Sequence, residues 1–387
     1  MKTGIAASIF LAVTGMAHAQ SSVTLYGRMD NGIQYQTGLA RGSQVGLETG
    51  NWAPSEFGLK GSEDLGNGTK AIFTLEAGLD TLNGTSMGTL FGRQATVGVT
   101  NDRWGTFKLG NLGIYEINED SFDVDPQVFQ IWSLITLVRG RDWSTAGNGL
   151  EYTSPALAGV TLKGQYDLTN STTWNAGNPG SGPGQLGGAQ GRSDGLEALY
   201  DGGDLQLMAI YDEIRDQYGQ FSNVYVASRS ILAGGSYTLG PVKFIAGYQH
   251  LSAPDASNEG YFGAATPATQ PAGVSLPTAV DQEWLGATWQ ASALTSLTGA
   301  IYHSNANRGN GNATLYTLAG TYNLSKRTFL YAELAWLHNS ATSNLGLGGG
   351  TYGANINDDP VNGSVDNGNP DYGHGQFGAT TGIVMQF

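Results

Sequence analysis

Residues 22–35 read SVTLYGRMDNGIQY, and their polarity alternates with a period of two. Val23, Leu25, Met29, Ile33 and Tyr35 share one face, whereas Thr24, Arg28, Asp30 and Gln34 share the other. Successive side chains of a β-strand point to opposite faces, so this stretch predicts a strand with one apolar and one charged side. Such a strand suits a barrel whose exterior meets lipid and whose lumen is wet.

The same alternation returns along the chain. It recurs at Lys70 to Ala77, Val160 to Tyr166, Val242 to Tyr248 and Phe377 to Phe387. About sixteen such segments can be counted, an even number as single-chain bacterial barrels require. Their approximate spans are 22–36, 52–62, 69–81, 89–100, 104–111, 148–154, 159–169, 193–201, 204–213, 228–239, 241–251, 281–291, 295–304, 312–324, 327–339 and 374–387. The connections alternate in length. Turns such as Asp201-Gly202-Gly203-Asp204 and Leu239-Gly240-Pro241 are short, whereas 170–192, 252–280 and 340–373 are long and rich in Gly, Asn, Ser and Pro. A soluble β-sandwich or propeller also has many short strands, but neither requires this asymmetry. The expected fold is all-β: a 16-stranded antiparallel transmembrane β-barrel with its long loops extracellular.

Composition supports this reading. The first nineteen residues, MKTGIAASIFLAVTGMAHA, carry one Lys, an apolar run from Gly4 to Met16 and small residues at 17 and 19. They read as a cleaved secretory signal, too short for the roughly 20 apolar residues of a spanning helix. The expected organisation is a signal peptide at 1–19 and one barrel domain at 20–387. No later apolar run is comparable, and mean hydropathy is −0.20. The chain has no Cys, so neither disulfides nor thiolate metal sites contribute. Without Lys2 the mature chain holds 17 basic and 32 acidic residues. Nucleic acid, which requires basic patches, is not an expected partner.

The sequence offers little chemistry. Outside the signal the histidines are His250, His303, His338 and His374, each near a strand end or loop and none within a hydrolase motif. Asn355, Asn357, Asp358, Asp359, Asp366, Asn367 and Asp371 supply oxygen ligands of the kind calcium prefers, but their spacing is not that of an EF-hand. They read as a polar loop. No enzyme activity, metal or cofactor is expected.

Several stretches resemble the Gram-negative general porins of the neisserial and β-proteobacterial type. They are SSVTLYGRMDNG at 21–32, FGLKGSEDLGNGTKAIFTLEAGL at 57–79, LFGRQATVGV at 90–99, EYTSPALAGV at 151–160 and YNLSKRTFLYAE at 322–333. The resemblance implies a homotrimer in the cell outer membrane, in contact with lipid and lipopolysaccharide and passing small hydrophilic solutes and ions. It also implies an inward-folded constriction loop, here at about Leu112 to Ala146. The acids of that loop, Glu116, Glu119, Asp120, Asp123 and Asp125, would face basic residues of the barrel wall. The wall candidates are Arg28, Lys60, Arg93, Lys108, Lys163, Arg139 and Arg141, together with the acids Asp30, Glu56 and Glu151. Arg28, Lys60, Lys108 and Lys163 have lumen parity, whereas Arg93 shares parity with Val97 and Val99 and needs a bulge or a rim position to turn inward.

Three departures from the resemblance concern charge. Glu56 and Glu151 stand where relatives commonly carry a cation, and Gly110-Asn111-Leu112 replaces a Gly-Arg-Gln stretch. The expected function is passive diffusion through a weakly selective or cation-preferring channel. The alternatives are a channel preferring one solute, for which Trp132 and Trp143 near the constriction loop are the candidate aromatics, and a barrel whose long loops serve adhesion or recognition.

Overall fold

The computed structural model describes residues 22–39, 42–114, 120–128, 130–138, 141, 145–167, 193–216, 219–225, 227–256, 277–308, 311–347 and 369–387. Residues 1–21 and most of the long loops lie outside them. Sixteen antiparallel strands form one closed sheet. They are β1 (Ser22–Leu39), β2 (Gly42–Thr49 and Glu56–Gly66), β3 (Thr69–Asp80), β4 (Thr85–Met87 and Gln94–Asn101), β5 (Gly105–Asn111), β6 (Gly149–Thr153), β7 (Val160–Asp167) and β8 (Ser193–Asp201). The second half comprises β9 (Leu205–Ile214), β10 (Arg229–Leu239), β11 (Val242–Ser252), β12 (Ala279–Gln290), β13 (Thr295–Ala306), β14 (Ala313–Asn323), β15 (Thr328–Asn339) and β16 (Gln376–Gln386).

Each strand pairs with its sequence neighbour, and β16 closes on β1 from Arg28↔Gln386 to Gln36↔Gly378. The terminal residue completes the seam: Phe387 and Gly27 exchange backbone hydrogen bonds of 3.1 and 3.2 Å. The periodicity therefore located the strands well, with two corrections. Residues 52–55, expected to begin the second strand, are not strand, and Gly42–Thr49 supplies its upper part instead. Residues 88–93, expected in part as the fourth strand, are irregular, and the ladder resumes at Gln94. The second interruption turns Arg93 toward the inner wall.

The outer face is apolar. Leu162, Leu196, Leu285 and Leu318 are each more than half exposed, as side chains solvated by lipid must be. Tyr316 and Tyr322 flank Leu318 on the outward face of β14.

The interior is not uniformly wet. The connection between β5 and β6 carries short 3₁₀ turns at Asp120–Val124 and Leu134–Thr136 and crosses the barrel to the opposite wall. Val124, Trp132, Leu134 and Leu137 pack there against Met208, Ile210, Leu232, Trp284, Tyr302, Leu315 and Leu337 from β9 to β15. The loop at 340–373, expected to be extracellular throughout, contributes Leu345 and Leu347 to this same core. A second apolar cluster near the long-loop end joins Val138 to Phe221, Val224, Tyr225, Leu251 and Val280.

Close approach of the loop demands small residues on the wall. A Cβ at Gly378 would lie 2.5 Å from the Trp132 ring, and one at Gly286 would lie 2.5 Å from Pro126, well inside van der Waals contact.

Leu318→Arg should impair insertion, because an arginine on the lipid face costs about 2–4 kcal/mol near the bilayer midplane. Equilibrium refolding into phospholipid vesicles measures this. Unchanged folding would place Leu318 away from lipid.

Candidate functional site: the charged wall and the constriction loop

The wall formed by β1 to β8 carries a row of paired charges on its inner face. On β1 the even-numbered residues point inward, and Arg28 reaches Glu56 of β2 through Nη2–Oε1 at 3.1 Å. Arg93 contacts the other oxygen of Glu56 at 2.9 Å and Glu76 of β3 at 2.8 Å. Tyr26 donates to the remaining oxygen of Glu76 at 2.8 Å. The result is a continuous row of alternating charge, Arg28–Glu56–Arg93–Glu76. Arg93 turns inward because it lies in the irregular stretch before Gln94, where Phe91 adopts a positive φ of 57° and the Arg93 amide donates to Glu76 O. Lys60 lies on the same inner face, its Nζ 5.1 Å from the Tyr26 ring centroid.

Farther round the wall, Lys108 of β5 pairs with Glu151 of β6 at 3.1 Å. Lys163 of β7 pairs with Asp120 of the constriction loop and stands opposite Glu197 of β8 in register. These ion pairs keep 1–30% of their side-chain surface exposed. For pairs this far out of water the cost of desolvation offsets much of the Coulombic gain; what they do here is hold charged groups in defined positions along the wall.

Three of the expected site residues have other work. Asp30, expected on the pore wall, is fully buried: its carboxylate accepts from the amides of Trp52 at 2.6 Å and Ala53 at 3.1 Å and from the Tyr331 hydroxyl at 2.8 Å. Asp125, expected to face the opposing cations, is buried against the far wall, where it accepts from the Tyr302 hydroxyl and from the amides of Gln127 and Leu134. Arg141, expected as a wall cation, is buried at the root of the constriction loop. It donates to Asp212 at 2.7 Å and to the hydroxyl and carbonyl oxygens of Ser228 at 2.7 and 2.9 Å. The two aspartates serve backbone amides of inward-folded segments and Arg141 is itself a buried charge met by a carboxylate; a buried polar group without a partner is costly.

Asp123 remains exposed on the loop, within the electrostatic reach of Asp120, Lys243 and Lys163. Glu116, Glu119, Arg139 and Trp143 lie outside the described residues, as do Asn355, Asn357, Asp358, Asp359, Asp366 and Asn367. Among the described residues no group of three or more His, Asp or Glu is arranged to hold a metal ion.

The sequence reading missed Glu76 and Glu197, although both lie at inward parity in alternating strands. It also missed Gln282, which donates to Leu134 O at 2.7 Å, Trp284, which donates to Val124 O at 2.6 Å, and Gln127, which donates to Thr317 Oγ1 at 2.8 Å. These bonds tie the loop to β12 and β14.

Burial pushes the Asp125 carboxyl up to about 6, against the lowering effect of Tyr302 and the two amides. Because its folded-state value lies above the ordinary aspartate value of 3.8, Asp125 supports the fold most at low pH, and that support declines as pH rises through about 6. Asp125→Ala leaves three buried donors unpaired and should lower stability by about 1–3 kcal/mol. The gap between wild type and variant should be wider at pH 4 than at pH 8. Thermal unfolding in detergent at the two pH values checks both the loss and its sign.

Known proteins share this architecture. An outer membrane porin protein of Bordetella pertussis is 29% identical, over 90% of this chain and 98% of its own length. Outer membrane porin protein 32 of Delftia acidovorans is 28% identical, over 90% and 92% respectively. The solved anion-selective porin from Comamonas acidovorans superposes with a TM-score of 0.72 at 25% identity, covering 95% of this chain and all of that one. OmpT of Vibrio cholerae in its trimer form matches with a TM-score of 0.58 at 14% identity, covering 95% of this chain and 99% of that one, a likeness of fold. The Gram-negative porin family profile matches residues 6–342. With a closed barrel, an inward loop and relatives aligned along nearly their full length, the chain belongs to the Gram-negative porin family and is an outer-membrane β-barrel.

Proposed function

We propose that the protein is a passive, water-filled channel for small hydrophilic solutes and ions, with only weak ion selectivity. The observation that carries this reading is the pairing of the wall charges. Glu56 lies between Arg28 and Arg93, and Glu151 neutralises Lys108. Two unit charges about 4 Å apart interact by about 4 kcal/mol at an effective dielectric of 20 and about 1 kcal/mol in bulk water. A passing ion therefore meets a cation and its counter-charge at nearly the same distance, and the two largely cancel. The acids offset the basic wall rather than replacing it with a purely acidic one, so the balance favours weak selectivity over a strong cation preference.

The name of the Comamonas porin describes that protein as anion-selective. In this chain Glu56 and Glu151 are the residues proposed to remove such a preference. Assembly as a homotrimer is part of the same proposal, supported by the trimer form of the Vibrio cholerae neighbour. Contact with lipid and lipopolysaccharide is part of the same proposal, supported by the apolar outer face.

Reversal potentials in a salt gradient across planar bilayers test the selectivity. Near-equal permeability is expected for the wild type, and a clear anion preference would overturn the reading. Glu56→Arg combined with Glu151→Arg should shift the potential toward anions by roughly a severalfold change in permeability ratio, since each substitution changes the local charge by two units.

A further inference from the structure

The six residues that interrupt β2, Gly50 to Ser55, belong to neither the barrel ladder nor the constriction loop, yet they touch both. The segment begins at Gly50, whose φ of 78° turns the chain out of the strand. Asn51, Ala53 and Ser55 are fully buried. Its footing is Asp30. The Asp30 carboxylate accepts from Trp52 N and Ala53 N, its backbone amide donates to Ser55 Oγ at 2.9 Å, and its carbonyl accepts from Gly50 N at 3.2 Å and Thr49 Oγ1 at 3.0 Å. Tyr331 of β15 completes the carboxylate shell from across the β16–β1 seam, and the Trp52 ring lies edge-on to Phe329 with centroids 5.1 Å apart.

From that footing the segment reaches two places. The carbonyl of Asn51 accepts from the amide of Ile131 in the constriction loop at 2.8 Å, and the Asn51 side chain donates to Thr380 of β16 at 2.7 Å. Three residues on, the carbonyl of Pro54 accepts from both Nε and Nη2 of Arg28, at 3.1 and 3.0 Å.

We propose that the 50–55 segment is an internal strut that sets both borders of the channel, holding the constriction loop at Ile131 and the wall guanidinium of Arg28 at Pro54, with Asp30 as its positioning residue. A simple β-bulge would leave its extra residues at the strand edge. This one is folded inward on a buried carboxylate that takes three hydrogen bonds, and charged acceptors of this kind form the stronger class of hydrogen bond. The strut also explains why Asp30 stands on an inward-facing position without lining the channel. Its loss should free the loop on the β1–β2 side, where Ile131 N donates to Asn51 O, and should release an acceptor that orients Arg28.

The inference rests on the channel reading, and the experiment separates the two. Asp30→Ala and the milder Asp30→Asn and Tyr331→Phe are purified and checked for an assembled barrel by heat-modifiable electrophoretic mobility. Single-channel conductance, open-channel noise and reversal potential are then recorded in planar bilayers. A strut predicts for Asp30→Ala a conductance higher by at least about 1.3-fold, because loop position sets the constriction, together with added noise and a shifted reversal potential. Tyr331→Phe, which removes one of the three carboxylate bonds, should give a smaller change of the same sign. A purely structural Asp30 would lower thermal stability and leave conductance and reversal potential as in the wild type, and that result overturns the proposal. If Asp30→Ala does not assemble, Asp30→Asn and Tyr331→Phe decide on the same readouts. A wild type without conductance would instead defeat the channel reading.

Discussion

Everything in this structure depends on one constraint: within the hydrocarbon of a membrane, no backbone amide or carbonyl can be left without a partner. A sheet meets that constraint only by closing on itself, and here the seam is the pairing of β16 with β1, extended to the last residue by the exchange between Phe387 and Gly27. Closure makes the outside a continuous apolar surface and the inside a space that the chain itself must organise. Side-chain alternation follows from the closed sheet, because every strand contributes one row to lipid and one row to the interior.

The interior is divided into two regions of different physics. Against β9 to β16 it is a protein core, in which the constriction loop buries apolar residues on apolar walls and makes polar bonds through Asp125, Gln127, Gln282 and Trp284. Against β1 to β8 it is charged and partly wet, with acids and bases paired along the wall. The loop forms the boundary between them. Its position is therefore a packing outcome as much as an electrostatic one, since a loop anchored by burial cannot drift in response to small changes in field.

The charged residues accordingly serve two purposes that composition cannot separate. Glu56, Glu76 and Glu151 balance neighbouring cations on the wall, whereas Asp30, Asp125 and Asp212 are buried partners of backbone amides, hydroxyls or a guanidinium. What distinguishes them is the presence of an inward-folded segment above them. Where chain crosses the lumen, a carboxylate becomes an anchor; where water crosses, it becomes part of the field.

The barrel is legible in the amino-acid sequence. Period-two alternation, the short and long connections and the terminal aromatic strand located the strands to within a few residues, because alternation is dictated locally by the geometry of an extended chain. It also determined which wall residues point inward, since Arg28, Lys60, Lys108 and Lys163 follow parity alone. A further signal was present in the strands that are apolar on both faces, such as LQLMAIYDEI at Leu205–Ile214, where a second apolar face marks an interior that is packed rather than wet. Only the tertiary structure decided that Asp30 and Asp125 are buried anchors, that Arg141 is a root of the loop and that Arg93 turns inward through an irregular strand. Each of these outcomes depends on contacts between residues tens to hundreds of positions apart, such as Tyr302 with Asp125 and Tyr331 with Asp30. Parity names the face of a strand on which a side chain stands, but what covers that face is set by how distant segments fold across it.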